Sequence, residues 1–248
     1  MRWLSNGLRH LHGTLLASSS APIKFELPCA ASDPTPRPLH SPHAGRRPPR
    51  ARPDRLGPRH PIPISHRSPR RHPAPEATFN AWLVQDYRFV TDLLRFQARL
   101  LARAPRATQP VIANGAVALV VELAWFERHV DERRLDLSAP PLPATVVYAE
   151  LLERLDGTDV AVALAMLWAI ERVYLDAWSH AAPGAAAYRD FVNHWTTPQF
   201  GRYVTALATA ADEALEHPGG GSDVYRWFGE VVHAESNFWD MARTGDRR

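Results

Sequence analysis

From residue 76 onward the chain repeats one pattern: apolar residues three or four apart, in long runs broken by short stretches rich in proline and glycine. No run alternates apolar and polar residues for long enough to build a strand. A period near 3.6 gathers each apolar set on one helical stripe, and such stripes are stable only when buried against one another. The spacing predicts helices over about 77–103, 108–135, 143–156, 159–181, 184–195, 198–216 and 222–243. Breaks fall where the residue types demand them: Pro105, the Ser138–Pro143 loop, Asp156-Gly157-Thr158, Pro183-Gly184, Thr197-Pro198 and the glycine run after His217. Ala-rich segments at 113–124, 161–169 and 206–214 let helices approach closely. The expected fold is one all-α bundle of about seven helices, without internal repeats.

The first 75 residues are different. They hold 15 of the 23 prolines and 13 Lys and Arg against 3 acids, so the basic isoelectric point belongs to this tail. The remainder carries 16 basic residues against 23 acidic ones. That balance gives no reason to expect a nucleic-acid-binding body. Runs such as Gly45-Arg-Arg-Pro-Pro-Arg cannot bury a core, and 1–75 reads as a disordered, Pro/Arg-rich tail. Its Arg and Ser content suits an organellar transit peptide, and a misassigned start accounts for the same composition. No stretch is expected to reach transmembrane length, so no membrane is expected. Cys29, the only cysteine, lies in the tail. The body therefore has no thiol nucleophile, thiolate ligand or internal disulfide, and a cytoplasmic protein is the economical expectation.

Chemistry enters with residues 164–180. Leu164, Leu167, Trp168, Leu175 and Trp178 share a face with Tyr174 at its edge, and Glu171 falls in the middle. Arg172 and Asp176, four apart, are expected to pair on another face. A carboxyl group in an apolar stripe is costly to ionise, so its pKa rises towards the range of a general acid or base. Three more acids repeat the placement: Asp86 among Trp82, Leu83, Phe89 and Val90; Glu122 among Leu119, Trp125 and Phe126; Glu235 among Val231, Val232, Phe238 and Trp239. One such acid is usually structural. Four, on four helices, point to a shared site, because like charges that close need protons, a ligand or a metal between them.

Two site types fit. In one, metal-free carboxylates grip a nitrogen-rich ring and move protons. In the other, a di-metal carboxylate centre needs Glu residues with Glu-x-x-His pairs. Glu230-Val-Val-His233 matches that motif once, but on a different face from Glu235, and His129 is expected to be a solvated histidine near a helix end. The metal reading comes second, and no cofactor is expected.

Four segments together carry a resemblance: Phe79-Asn-Ala-Trp-Leu-Val-Gln-Asp86-Tyr-Arg-Phe89, Glu122-Leu-Ala-Trp-Phe126, Leu167-Trp-Ala-Ile-Glu171-Arg-Val-Tyr174 and Glu235-Ser-Asn-Phe-Trp-Asp-Met-Ala242. In that order they resemble the TenA/thiaminase II family over about residues 77–243. The resemblance implies a haem-oxygenase-like bundle, a homodimer or homotetramer, and a small-molecule pyrimidine ligand. It also implies that Asp86 and Glu235 hydrogen-bond the aminopyrimidine while Phe89, Tyr148, Trp195 and Phe238 line the ring. Glu171 is the expected general base, with Tyr174 orienting it or donating to an oxyanion. The family's thiaminases carry a Cys in the helix matching 164–180, and the resemblance places Met166 at its position. The block around Glu171 is similar to the branch that lacks this Cys and salvages thiamin by hydrolysing amino- or formylamino-methylpyrimidine fragments. A non-catalytic ligand-binding or regulatory relative is the alternative. Family members also begin with a further helix, for which the tail offers no evident counterpart.

Overall fold

The computed structural model describes residues 76–217 and 223–244. The segment expected to be a disordered tail lies outside the described residues. Seven α-helices follow in order: α1 (Glu76–Arg103), α2 (Gln109–Glu132), α3 (Pro143–Leu155), α4 (Val160–Ala181), α5 (Arg189–Trp195), α6 (Pro198–Leu215) and α7 (Val224–Thr244). The described residues hold no strand.

Most boundaries follow from local chemistry. The side chain of Asp159 accepts from the Val162 amide to start α4, and that of Thr197 accepts from Phe200 to start α6. Pro143 and Pro198 occupy first-turn positions, where the missing N–H costs nothing. Two boundaries differ from expectation. α2 stops at Glu132 because Arg134 takes a left-handed conformation (φ 54°) and the Leu135 amide turns back to the Val130 carbonyl at 2.9 Å. The expected helix over 184–195 is instead a 3₁₀ turn, Ala186–Tyr188, and then α5. Tyr188 leaves helical geometry (φ −120°, ψ 4°) and its ring packs 4.5 Å from that of Phe79, so tertiary packing overrides the local helical run.

α4 is the axis of the bundle. It touches α1, α3, α5, α6 and α7. Every residue from Ala161 to Glu171 is buried, so this helix has no solvated face there. The expected one-sided stripe is thus corrected: Val173, off the stripe, is buried, whereas Leu175, on it, is only partly so. Arg172 and Asp176 do pair, at 2.8 Å.

α2 behaves differently. Its 24 residues, with mean hydropathy 1.4 in the most apolar window, are long and apolar enough to cross a membrane by length and composition. The expectation that no stretch reaches that length is corrected here, because alanines and valines raise the average even though Glu122 interrupts them. In the bundle α2 lies on α1 along Ile112, Leu119, Phe126 and Val130, and leaves Val117, Val120 and Val121 exposed.

One buried polar side chain ties the loop before α3 to the core. Gln85 of α1 accepts from the Leu142 amide (2.9 Å) and the Thr145 hydroxyl (2.8 Å), and donates to the Pro140 carbonyl (3.2 Å). Substituting Gln85→Leu leaves three groups without their partner. The unfolding free energy in urea should drop by roughly 2–4 kcal/mol, and an unchanged midpoint would show that water replaces the amide.

Candidate functional site

A cavity of about 920 Å³ opens between α2 and α6 and reaches inward to α1 and α4. Its wall is apolar except for a few groups, the composition expected of a small-molecule site. Glu122 comes from α2, Glu171 and Tyr174 from α4, Trp195 from the end of α5, Tyr203 from α6 and Phe89 from α1.

Glu171 stands apart from the other acids. It is 6% exposed, it lines the cavity, and no group among the described residues hydrogen-bonds it. Burial, then the charges of Glu122 and Glu235, push its pKa up to about 8. Near neutrality the group is therefore mostly protonated. A cation entering the cavity would favour the carboxylate.

The other acids are held by the protein. Tyr174 donates to Asp86 Oδ2 at 2.6 Å, and Asp86 Oδ1 is buried without a hydrogen bond. Burial raises the Asp86 pKa well above its ordinary value; Tyr174 opposes this, and Glu122 and Glu235 add to it. Glu235 receives the Tyr148 hydroxyl on one oxygen and Trp239 Nε1 on the other, the latter at 3.0 Å. Its burial pushes the pKa to about 7 against the pull of these two donors. Glu122 accepts from Trp195 Nε1 and meets His194 Nε2 at 2.7 Å. The His194 ring lies flat on Trp125, with 4.0 Å between centroids and 5° between planes.

The eight residues expected in the site thus divide into two layers. Phe89, Glu171, Tyr174 and Trp195 line the cavity. Asp86 lies behind Tyr174, while Tyr148 and Phe238 pack behind Phe89 at 4.7 and 5.4 Å, and Glu235 is bonded to Tyr148. Asp86 and Glu235, expected to touch the ring directly, do not line this cavity; their carboxyl oxygens are taken up by Tyr174, and by Tyr148 and Trp239. Met166 also needs correction. It is buried and absent from the wall, where α4 presents Ile170, Glu171 and Tyr174. Five residues before Glu171 points Met166 away, so a nucleophile from α4 would have to stand at one of those three positions.

His129, expected to be solvated, is only partly exposed. It packs 4.2 Å from the Trp125 ring and 3.4 Å from Glu132, and burial lowers its pKa. The periodic pattern does not single out the wall residues His194 and Tyr203, nor Gln97, the buried partner that bonds Tyr203 from behind the wall. The Glu122–His194 pair spans 72 positions and Gln97–Tyr203 spans 106, and no periodic signal reports pairings of that range.

Among the described residues no three His, Cys, Asp or Glu converge to hold a metal ion. The Glu230/His233 pair is used at the surface, with Glu230 on Arg154 (2.6 Å) and Arg226 (3.0 Å) and His233 facing Asn237 (3.1 Å). Purified protein is expected to hold well under one iron or manganese per chain, and EDTA to leave turnover unchanged. About two ions per chain with an oxidase reaction would put the di-metal reading first.

The helices close round a cavity with buried carboxyl groups, which defines an α-helical bundle domain with an internal, carboxyl-bearing pocket. Residues 71–245 match the TENA/THI-4/PQQC family, and the chain belongs to it. A Glycine max protein described as "Probable bifunctional TENA-E protein" is 30% identical over 202 residues, covering 75% of this chain and 86% of its own length. The solved structure of a TenA homologue from Pyrococcus furiosus superposes with a TM-score of 0.63 at 29% identity, over 68% of this chain and 84% of that one. A TenA family transcription regulator from Silicibacter superposes with a TM-score of 0.62 at 19% identity, over 68% and 83% of the two chains. The fold is accordingly the haem-oxygenase-like bundle of TenA proteins.

Proposed function

We propose that this protein is a hydrolase of thiamin salvage that cleaves a C–N bond in an amino- or formylamino-methylpyrimidine fragment, with Glu171 as the acid and base. The observation that carries the reading is Glu171 itself: buried, facing the cavity, without a hydrogen bond among the described residues, and poised near pH 8. A structural acid is normally held by donors, as Glu235 is by Tyr148 and Trp239. Glu171 is held by none, which suits a group reserved for a ligand.

The chemistry follows from the wall. An aminomethylpyrimidine brings positive charge into a cavity surrounded by four carboxyl groups, and its arrival favours ionised Glu171. The carboxylate takes a proton from water as the water oxygen bonds to carbon, and the C–N bond breaks. The proton then passes to the departing nitrogen. Phe89 and Trp195 offer ring faces for the pyrimidine, with Tyr174 and Asp86 as a hydrogen-bonded pair behind. The family membership, together with the name carried by the soybean relative, favours this substrate class over others of similar size. Incubating the full chain with a panel of thiamin fragments and assaying released hydroxymethylpyrimidine tests it. No release from any fragment would overturn the hydrolase reading.

A further inference from the structure

Tyr203 of α6 is bound on one side only. Gln97, fully buried in α1, donates from Nε2 to the Ile112 carbonyl at 2.7 Å and to the Tyr203 hydroxyl at 3.1 Å. The carbonyl can only accept, so the atom facing it must be the amide nitrogen, and this fixes which way Gln97 points. Both of its protons are then assigned, and the Tyr203 oxygen is an acceptor of one of them. The proton of Tyr203 itself finds no acceptor among the described residues. Gly115 of α2 makes the arrangement possible: a Cβ there would overlap both the Tyr203 hydroxyl and the Gln97 amide.

Tyr203 and Gly115 both line the cavity that Glu171 lines. Burial, with the Glu171 charge adding to it, keeps the phenol protonated and therefore a donor. Of the two phenols in the wall, Tyr174 is spent on Asp86, and Tyr203 is free to donate inward. An uncommitted donor on a half-buried side chain in a cavity wall selects a ligand that presents an acceptor to it, because a ligand that displaces water without offering one leaves it unpaired.

We propose that Tyr203, held by Gln97 in the space left by Gly115, is the specificity-determining donor that reads the carbonyl oxygen of a formylamino substrate. The inference rests on the hydrolase reading above and deepens it. Water adds to the formyl carbon as Glu171 takes its proton, and the C=O electron pair moves onto oxygen, where the Tyr203 O–H donates to it. Collapse restores C=O and breaks the C–N bond, and the nitrogen takes the proton from Glu171. Formate and the aminomethylpyrimidine leave. The bare aminomethylpyrimidine has no such oxygen and needs no such donor.

The test compares Tyr203→Phe with wild type on both substrates. Turnover of the formylamino compound should fall about 30- to 100-fold, the scale of losing one oxyanion donor. Turnover of the amino compound should stay within about threefold. Binding, read from tryptophan fluorescence without any turnover, should show the formylamino ligand about tenfold weaker and the amino ligand unchanged. Gly115→Ala, which displaces Tyr203 from α2, should reproduce the same selectivity. Equal losses on both compounds, or no loss on either, would overturn the role of Tyr203. Wild-type protein that turns over neither compound would overturn the hydrolase reading instead, and the binding comparison would still decide for or against the donor.

Discussion

Glu171→Gln should lower turnover of an aminomethylpyrimidine at least roughly a hundredfold while leaving the bundle folded. The amide has the shape of the acid and keeps the polar contacts available to a neutral carboxyl, so packing around α4 need not change. It cannot take a proton from water or return one to nitrogen. The thermal midpoint should hold or rise, more so at pH 8 than at pH 6, because the ionised carboxylate is the form that burial penalises. Met166→Ala provides the contrast. Met166 is buried behind the wall, so its loss should cost about 2–4 kcal/mol of stability and leave the chemistry close to intact. A Glu171→Gln protein that unfolds early yet turns substrate over at the wild-type rate would mean that Glu171 is structural. Thermal midpoint and initial rate on the two variants separate these outcomes.

The second large effect is on stability as a function of pH. Glu171 and Glu235 titrate near 8 and 7 in the folded chain, against 4.5 for a free Glu. Between those limits the folded state binds more protons than the unfolded state, so stability falls as pH rises. The loss begins above pH 4.5 or so and is complete once pH passes the folded values. Each unit of raised pKa corresponds to about 1.4 kcal/mol, so Glu171 alone should account for a decline on the order of a few kcal/mol. Urea midpoints measured from pH 5 to pH 8.5 should therefore decrease steadily in wild type. Glu171→Gln should flatten the upper part of the curve and Glu235→Gln the part around pH 7. A wild-type curve that stays level, or a Glu171→Gln curve with the same slope, would show that the cavity hydrates the carboxylate and that desolvation does not set its pKa.

The helical order, the bundle and the acids drawn to its interior were all legible in the sequence, for one reason. A buried stripe must recur at the helical period, and caps and prolines must sit where backbone groups go unpaired, so both leave local marks that a reader can count. The alignment of Asp159 and Thr197 with helix starts, and of Arg172 with Asp176, are marks of that kind. What the sequence could not supply was depth. Asp86, Glu171 and Glu235 occupy equivalent places on their own stripes, yet Glu171 lines the cavity while the other two are held by tyrosine donors from other helices, Tyr174 for Asp86 and Tyr148 for Glu235. The same holds for Met166, one and a half turns from Glu171 on a helix buried all round, where periodicity no longer distinguishes inside from wall. Gln97, Gly115 and Tyr203 carry no signal at all until α1, α2 and α6 are brought together. Helical periodicity is a property of neighbours in the chain and is determined by sequence alone. Which buried acid keeps its lone pairs free for a ligand depends on donors 88 and 87 residues away, and only the packing of the helices decides it.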